Sequence, residues 1–277
     1  MKKLMMVLLS VMMILTLAAC GGSNTDTNTT GNETNGEQEV LKVGTEANYA
    51  PFNWTQSDDL NGAVAIEGSS DFANGYDIQI AKRVAEGLNK KLVVVKVDWD
   101  GLIPALTSGK IDMILAGMSP TAQRAETIDF SSPYYESDLV MVVKADGPYA
   151  NATSKADFNG AKVVAQLGTF HDTVIDQIEG VDHLAPMESF PVIRVAVQSG
   201  KADAYIAEKP EGEAVKAANI GLKMIELTDG FEASVEDTQV SVGLRKDSEY
   251  KEEVNKVIEG ITEEQRIQIM TEVQSYQ

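Results

Sequence analysis

The run Ala116-Gly117-Met118-Ser119-Pro120-Thr121-Ala122-Gln123-Arg124 holds the residues best suited to chemistry. It follows an apolar segment, 111–116, that reads as a buried strand. A short helical segment, 121–127, follows it. A strand that feeds a helix through a Gly/Ser/Pro turn presents free backbone N–H groups at the helix start. Those donors and the positive end of the helix dipole attract an anion. Arg124 lies three residues past Thr121 and folds back beside that end. A guanidinium grips a carboxylate through two parallel hydrogen bonds, so the expected chemistry is capture of a carboxylate. Taken alone, the same pattern is also an ordinary β–α connection with a surface arginine.

Other candidates lie further from the turn. Tyr49, Phe52 and Trp54 place three aromatic rings in six residues without apolar periodicity. Such a loop suits a rim that packs on an organic ligand, or a cap on the edge of a core. His171 and His183 are the only histidines. Neither belongs to a catalytic triad or to metal spacing such as H-E-x-x-H, and both read as ordinary polar residues. No Gly-rich phosphate-binding run and no Cys/His cluster is present. No catalytic residue, metal or cofactor is therefore expected.

The elements that must position these residues come next. The 277 residues are 43% hydrophobic, enough for one or two globular domains. A formal charge of −19 argues against a nucleic-acid partner, which needs clustered Lys and Arg. The charge describes a solvated acidic surface and says nothing about a small ligand. Met1-Lys2-Lys3 followed by apolar residues 4–18 has the length of a secretion signal rather than a membrane span. It ends in Leu17-Ala18-Ala19-Cys20-Gly21, which resembles the bacterial lipoprotein signal. Cys20 is the only cysteine, so no disulfide can form within the chain, and it stands where a lipid would be attached. Residues 1–19 are read as the signal peptide and 20–39 as a polar, flexible tether. The expectation is a protein lipid-anchored at the extracytoplasmic face of the cell membrane.

From residue 40 onward strand and helix patterns alternate. Strands are expected at 40–44, 92–97 and 111–116, with an excursion at 58–74. Helices are expected from Asp77 as N-cap and at 102–108 behind Asp100. Residues 129–135 interrupt the pattern. A second series then offers strands at 139–144, 161–165, 202–207, 222–227 and 238–244. Its helices fall at 171–178, at 190–199 and after a turn at 208–210, and two more lie within 249–274. This alternation predicts an α/β fold with mainly parallel sheets, and ligands in such sheets collect at the strands' carboxyl ends. Each series carries a Gly-containing turn at such an end, so two lobes facing one another across a cleft are expected.

Over residues 40–277 the chain resembles the solute-binding proteins of bacterial ABC importers for polar amino acids. The carriers are Tyr49-Ala50-Pro51-Phe52, Gly75-Tyr76-Asp77-Ile78 and the turn ending at Arg124. Further carriers are Ile128-Asp129-Phe130-Ser131-Ser132-Pro133-Tyr134-Tyr135, Gln166-Leu167-Gly168-Thr169 and Gly200-Lys201-Ala202-Asp203-Ala204-Tyr205. The resemblance implies a two-lobe, type II periplasmic-binding-protein-like fold with two hinge strands. Lobe 1 would take residues 40–135 and 239–277, and lobe 2 residues 136–238. It implies that Arg124 binds the α-carboxylate of a free amino acid, helped by backbone N–H groups of Ser119 and of Gly168, Thr169 and Phe170. The α-amino group would meet the Gly117 carbonyl, the Ser119 hydroxyl and Glu208, while Tyr49 and Phe52 line the side-chain pocket. Its partners would be a membrane permease and an ATPase. The sequence departs from the family where Glu208 and Glu46 stand at positions commonly Asp, and in Trp54 and the 58–74 excursion.

Physics supports this assignment, because a zwitterion buried in a closing cleft must have both charges paired. Glu46 can pair with a cationic side chain, and Tyr49, Phe52 and Trp54 can face one through cation–π attraction. That favours lysine, arginine or ornithine. Glutamine or another neutral polar amino acid is the alternative, with Glu46 accepting from an amide. Rival classes are a dehydratase-like enzyme and a stand-alone sensor or adhesin on the same fold.

Overall fold

The structure, a computed structural model, describes residues 38–276. Cys20, the signal segment and most of the expected tether lie outside the described residues. The first strand, β1 (Val40–Thr45), buries Leu41, Val43, Gly44 and Thr45 in the interior of a sheet. The chain then makes β2 (Asn48–Tyr49), β3 (Asn53–Gln56), β4 (Val64–Ala65) and β5 (Phe72–Asn74), which pair as a small antiparallel sheet in the order β2-β3-β5-β4. The 58–74 excursion is thus the outer hairpin of this sheet.

Helix α1 (Tyr76–Gly87) follows, with Tyr76, Ile80, Ala81 and Val84 buried against the core. Asp77 is not its N-cap: Gly75 holds that place, at φ +122°, and Asp77 sits in the first turn with its side chain directed inward. The Asp77 carboxylate accepts from Asn53 Nδ2 at 2.8 Å and from Tyr134 Oη at 2.6 Å, and the Gly117 backbone also hydrogen-bonds to it. Burial pushes this carboxyl up to about 7, with those bonds acting against it. An inner polar knot therefore ties the aromatic loop to the turn that follows β7. That turn comes after β6 (Lys91–Lys96), α2 (Leu102–Thr107) and β7 (Met113–Ile114). Asp100 does not cap α2 either. It lies in a single 3-10 turn, Trp99–Gly101, that runs directly into the helix. Only two residues of the expected 111–116 strand are paired as strand. One helical turn, α3 (Ala122–Ala125), follows.

Residues 129–135 prove to be strand, not interruption. β8 (Asp129–Glu136) is the longest strand described, and it accommodates Pro133 because it runs along a sheet edge. After two intervening residues, β9 (Leu139–Lys144) begins in a different sheet. There follow β10 (Lys162–Val164), α4 (Phe170–Val174), β11 (Asp182–His183), α5 (Phe190–Gln198), β12 (Ala204–Glu208), α6 (Lys209–Ala217) and β13 (Leu222–Ile225). After the short α7 (Val235–Thr238), β14 (Gln239–Leu244) returns to the first sheet, and α8 (Lys251–Glu259) and α9 (Glu263–Gln274) pack on it.

The two main sheets run β6-β1-β7-β14-β8 and β11-β10-β12-β9-β13. In each, two pairings are parallel and two antiparallel, so the sheets are mixed where mainly parallel ones were expected. The antiparallel members are the strands entered or left where the chain passes between sheets. The chain makes that passage twice, at 136–139 and between β13 and β14.

Candidate functional site

The first half of the site is built at the carboxyl ends of β1, β6 and β7. Gly117 adopts φ +63°, and an added Cβ there would sit 3.1 Å from the Tyr49 ring, so the turn requires glycine. Its close approach seats Tyr49 between Phe52, with ring centroids 5.3 Å apart, and Phe190 at the start of α5, 4.3 Å away. Two residues past Gly117, the Ser119 carbonyl accepts from Arg124 Nη1 at 2.9 Å. Arg124 Nη2 donates to the Gly168 carbonyl at 3.0 Å, across to the second sheet. The guanidinium lies 5.0 Å from the Trp99 ring centre, in cation–π range. Burial pulls the Arg124 pKa down to about 10, so it remains a cation at neutral pH. With α3 only one turn long, the helix dipole is slight and the positive charge here is the guanidinium's own.

The second half comes from the Gln166–His171 turn, the start of α5 and the end of β12. Glu208 closes β12 and is only 3% exposed. The Tyr49 hydroxyl donates to Glu208 Oε2, and His171 Nε2 lies 3.3 Å from Glu208 Oε1. That second contact lacks hydrogen-bond alignment: both His171 ring nitrogens are buried without a hydrogen-bond partner. Burial pushes Glu208 up to about 8, and the nearby Glu211 adds to this. Burial, with Arg124 nearby, holds His171 down to about 3, so the imidazole is neutral.

Arg124 and Glu208 line one pocket together with Tyr49, Trp99, Gly117, Ser119, Gln166, Thr169, Phe170, His171 and Phe190. Open space among these side chains is about 10 Å³, no more than one water occupies. Next to it lies a cavity of about 380 Å³ lined by Glu46, Asp98, Asp100, Glu188 and again Trp99. Glu46 is buried between the two spaces and accepts from Gln166 Nε2 at 3.1 and 3.2 Å. The Asn48 amide, in the orientation that satisfies both groups, donates to Glu46 Oε1 at 2.9 Å. Burial pushes Glu46 up to about 7 against these bonds.

The structure thus brings together Tyr49, Gly117, Ser119, Arg124, Thr169, Phe170 and Glu208 from the sequence-based set, with Gly168 contributing its carbonyl. Glu46 lines the neighbouring cavity instead. Phe52 has no exposed surface and supports Tyr49 from below. Trp54 is absent from both linings, and its indole donates to Gln56 Oε1 at 3.2 Å. The tryptophan that does line the pocket is Trp99. Sequence reasoning missed it, although its place directly after β6 was a signal, since every other first-half site residue follows a strand of the same sheet. Gln166, His171 and Phe190 were also missed. His183, by contrast, is held at 2.8 Å by Asp176 and at 2.9 Å by Asp172, a partly exposed surface cluster far from any site role.

Comparison with known proteins identifies the family. The family model of bacterial extracellular solute-binding proteins, family 3, matches residues 41–272. The chain belongs to that family. This solute-binding protein is 33% identical over 234 residues to a probable histidine-binding protein of Campylobacter jejuni, covering 84% of each chain. It is 29% identical over 266 residues to the arginine-binding extracellular protein ArtP of Bacillus subtilis, covering 93% of this chain and 92% of that one. A solved amino acid ABC transporter substrate-binding protein from Streptococcus pneumoniae, bound to L-arginine, superposes with a TM-score of 0.74. It is 28% identical, and the match covers 85% of this chain and 94% of that one. The two mixed sheets joined by two chain passages are the two lobes of a type II periplasmic-binding-protein fold. Among the described residues no helix is long and apolar enough to cross a membrane.

Proposed function

We propose that this solute-binding protein captures a free amino acid between its two lobes and delivers it to the permease and ATPase of an ABC importer. The observation that carries this reading is the pairing of Arg124 and Glu208 across one pocket, each from a different lobe. A zwitterion held there has its carboxylate beside a guanidinium and its ammonium beside a carboxylate, so neither buried charge is left unpaired. With about 10 Å³ open, an amino acid enters only when Arg124 lets go of the Gly168 carbonyl, Tyr49 lets go of Glu208 and the lobes part. Re-closure onto a ligand that touches both lobes then stabilises the closed form by its differential affinity, which is the signal an importer reads.

The side chain of the ligand is directed past Trp99 toward Glu46 and its acidic cavity. Glu46, Asp98, Asp100 and Glu188 line it, and the relatives named for arginine and histidine are in keeping with a cationic group. A basic amino acid, with arginine first, is the proposed ligand. One observation favours glutamine as second reading: Glu46 already accepts from a carboxamide, that of Gln166. Cys20, outside the described residues, is proposed to carry the lipid that holds the protein at the extracytoplasmic face of the membrane. Calorimetric titration with L-arginine, L-histidine and L-glutamine tests the reading. One-to-one binding of arginine tighter than glutamine supports it, and tighter glutamine binding replaces it with the second reading. Silence with all three removes it.

A further inference from the structure

His171 is a buried side chain at this site whose chemistry the proposed function leaves unused. It is 3% exposed, and neither ring nitrogen has a hydrogen-bond partner. A buried imidazole left so costs stability, because it loses its water without replacement. Its packing is otherwise specific. The ring lies 4.5 Å from Phe170, and Phe190 meets it edge-on at 6.3 Å. These rings turn Nε2 into the pocket, where it comes to 3.3 Å from Glu208 Oε1. Glu208 Oε2 is taken by the Tyr49 hydroxyl, so Oε1 is the oxygen free to receive a ligand. Once the ammonium of a ligand has drawn the proton off Glu208, Oε1 and a neutral imidazole nitrogen are two acceptors facing one small volume without bonding each other. A donor about 2.9 Å from both completes them, and it must offer at least two N–H bonds.

Resting on the amino-acid reading above, we infer that His171 Nε2 accepts a hydrogen bond from the α-ammonium group of the ligand and, with Glu208 and a third acceptor at the Gly117 turn, restricts the site to primary amines. A primary ammonium has three N–H donors, one each for Glu208, His171 and the Gly117 carbonyl, so His171 takes the place that the resemblance gave to the Ser119 hydroxyl. Methylation of that nitrogen keeps the charge but removes a donor and adds a methyl group where no space is left. The tautomer this requires carries its proton on Nδ1. Selectivity at the backbone nitrogen is then set by His171, independently of the side-chain subsite near Glu46.

The test is a ratio of affinities. L-arginine and Nα-methyl-L-arginine are titrated calorimetrically into the wild-type protein and into His171→Ala and His171→Gln. A hydrogen bond to a charged group is worth roughly 10- to 100-fold in affinity. Wild type should therefore prefer arginine over its methylated form by about 100-fold or more. His171→Ala should weaken arginine about tenfold or more, and, with the methyl accommodated, should shrink the ratio to about tenfold or less. His171→Gln, which restores an acceptor, should recover arginine affinity. A His171 that only packs would weaken both ligands equally, leaving the ratio unchanged, and that result overturns the inference, as does a wild type that does not discriminate. Melting temperatures with and without ligand show whether each variant folds, and His171→Gln serves as the reading if His171→Ala does not. If wild type ignores arginine but binds L-glutamine, the same ratio is taken with Nα-methyl-L-glutamine, since the inference concerns only the ammonium. If wild type binds neither parent amino acid, the proposed function itself fails and the inference falls with it.

Discussion

Binding should release protons, and Glu208 sets how many. Its carboxyl is pushed up to about 8 by burial, and that of Glu46 up to about 7. At pH 7 Glu208 is then about nine-tenths protonated and Glu46 about half. An ammonium placed beside Glu208, and a cationic side chain beside Glu46, offset the cost of burial and return both to the ionised form. Titration with L-arginine at pH 7 should release about one proton or somewhat more per molecule bound, most of it from Glu208. The assay is calorimetry in phosphate and in Tris, whose ionisation heats differ. The slope of apparent enthalpy against buffer enthalpy counts the protons. Affinity should rise about tenfold per pH unit below pH 7 from Glu208 alone and level off above about pH 8. Glu208→Gln should remove most of the release and weaken binding. Buffer-independent enthalpy in the wild type, with pH-independent affinity between pH 6 and 8, would refute the reasoning, because Glu208 would then be ionised before the ligand arrives or would not face the ammonium.

Four other outcomes are expected. Arg124→Ala should weaken L-arginine at least about 100-fold, as loss of one partner of a buried charge pair does, while the melting temperature stays near that of wild type. Unchanged calorimetric affinity would show that the carboxylate binds elsewhere. Glu46→Gln should cost arginine about tenfold and glutamine much less, as expected for a partly buried charge pair; equal losses would sink the cationic side-chain assignment. Without ligand, stability should fall between pH 6.5 and 8.5: a carboxyl held above its ordinary 4.5 adds stability that is complete below that value and lost as pH rises through about 8. His171, held near 3, stays neutral across that window, and Glu208→Gln should remove about 2 kcal/mol of the fall in chemical denaturation. Cys20→Ser should move the protein from the membrane fraction to the soluble one, and retention at the membrane would count against lipidation.

The alternation of strand and helix, the two lobes and the Arg124 turn could all be read from the sequence, because each rests on local pattern. β8 could not, since Ser131, Ser132 and Pro133 look like loop residues until the edge position and the pairing with β14 are known. Asp77 looked like a cap because helix starts attract acids. Its carboxylate instead serves Asn53, Tyr134 and the Gly117 turn, partners up to 57 residues away that no local rule can supply. The aromatic loop misled for a related reason. Tyr49, Phe52 and Trp54 are close in sequence, but Phe52 is buried in a stack behind Tyr49 and the Trp54 indole turns to Gln56. Only Tyr49 faces the pocket, while Trp99 arrives from another strand. His171 read as an ordinary polar residue because its neighbours Glu208 and Phe190 come from elements far along the chain.

The most direct test compares L-arginine with two analogues, each lacking one charge of the zwitterion: agmatine, without the carboxylate, and 5-guanidinopentanoate, without the ammonium. All three keep the guanidinium tail, so only the Arg124–Glu208 pairing is varied. The account predicts one-to-one binding of arginine, with both analogues at least about 100-fold weaker because each leaves one buried charge unpaired. Either analogue binding as tightly as arginine would contradict the claim that Arg124 and Glu208 together hold a free amino acid between the lobes.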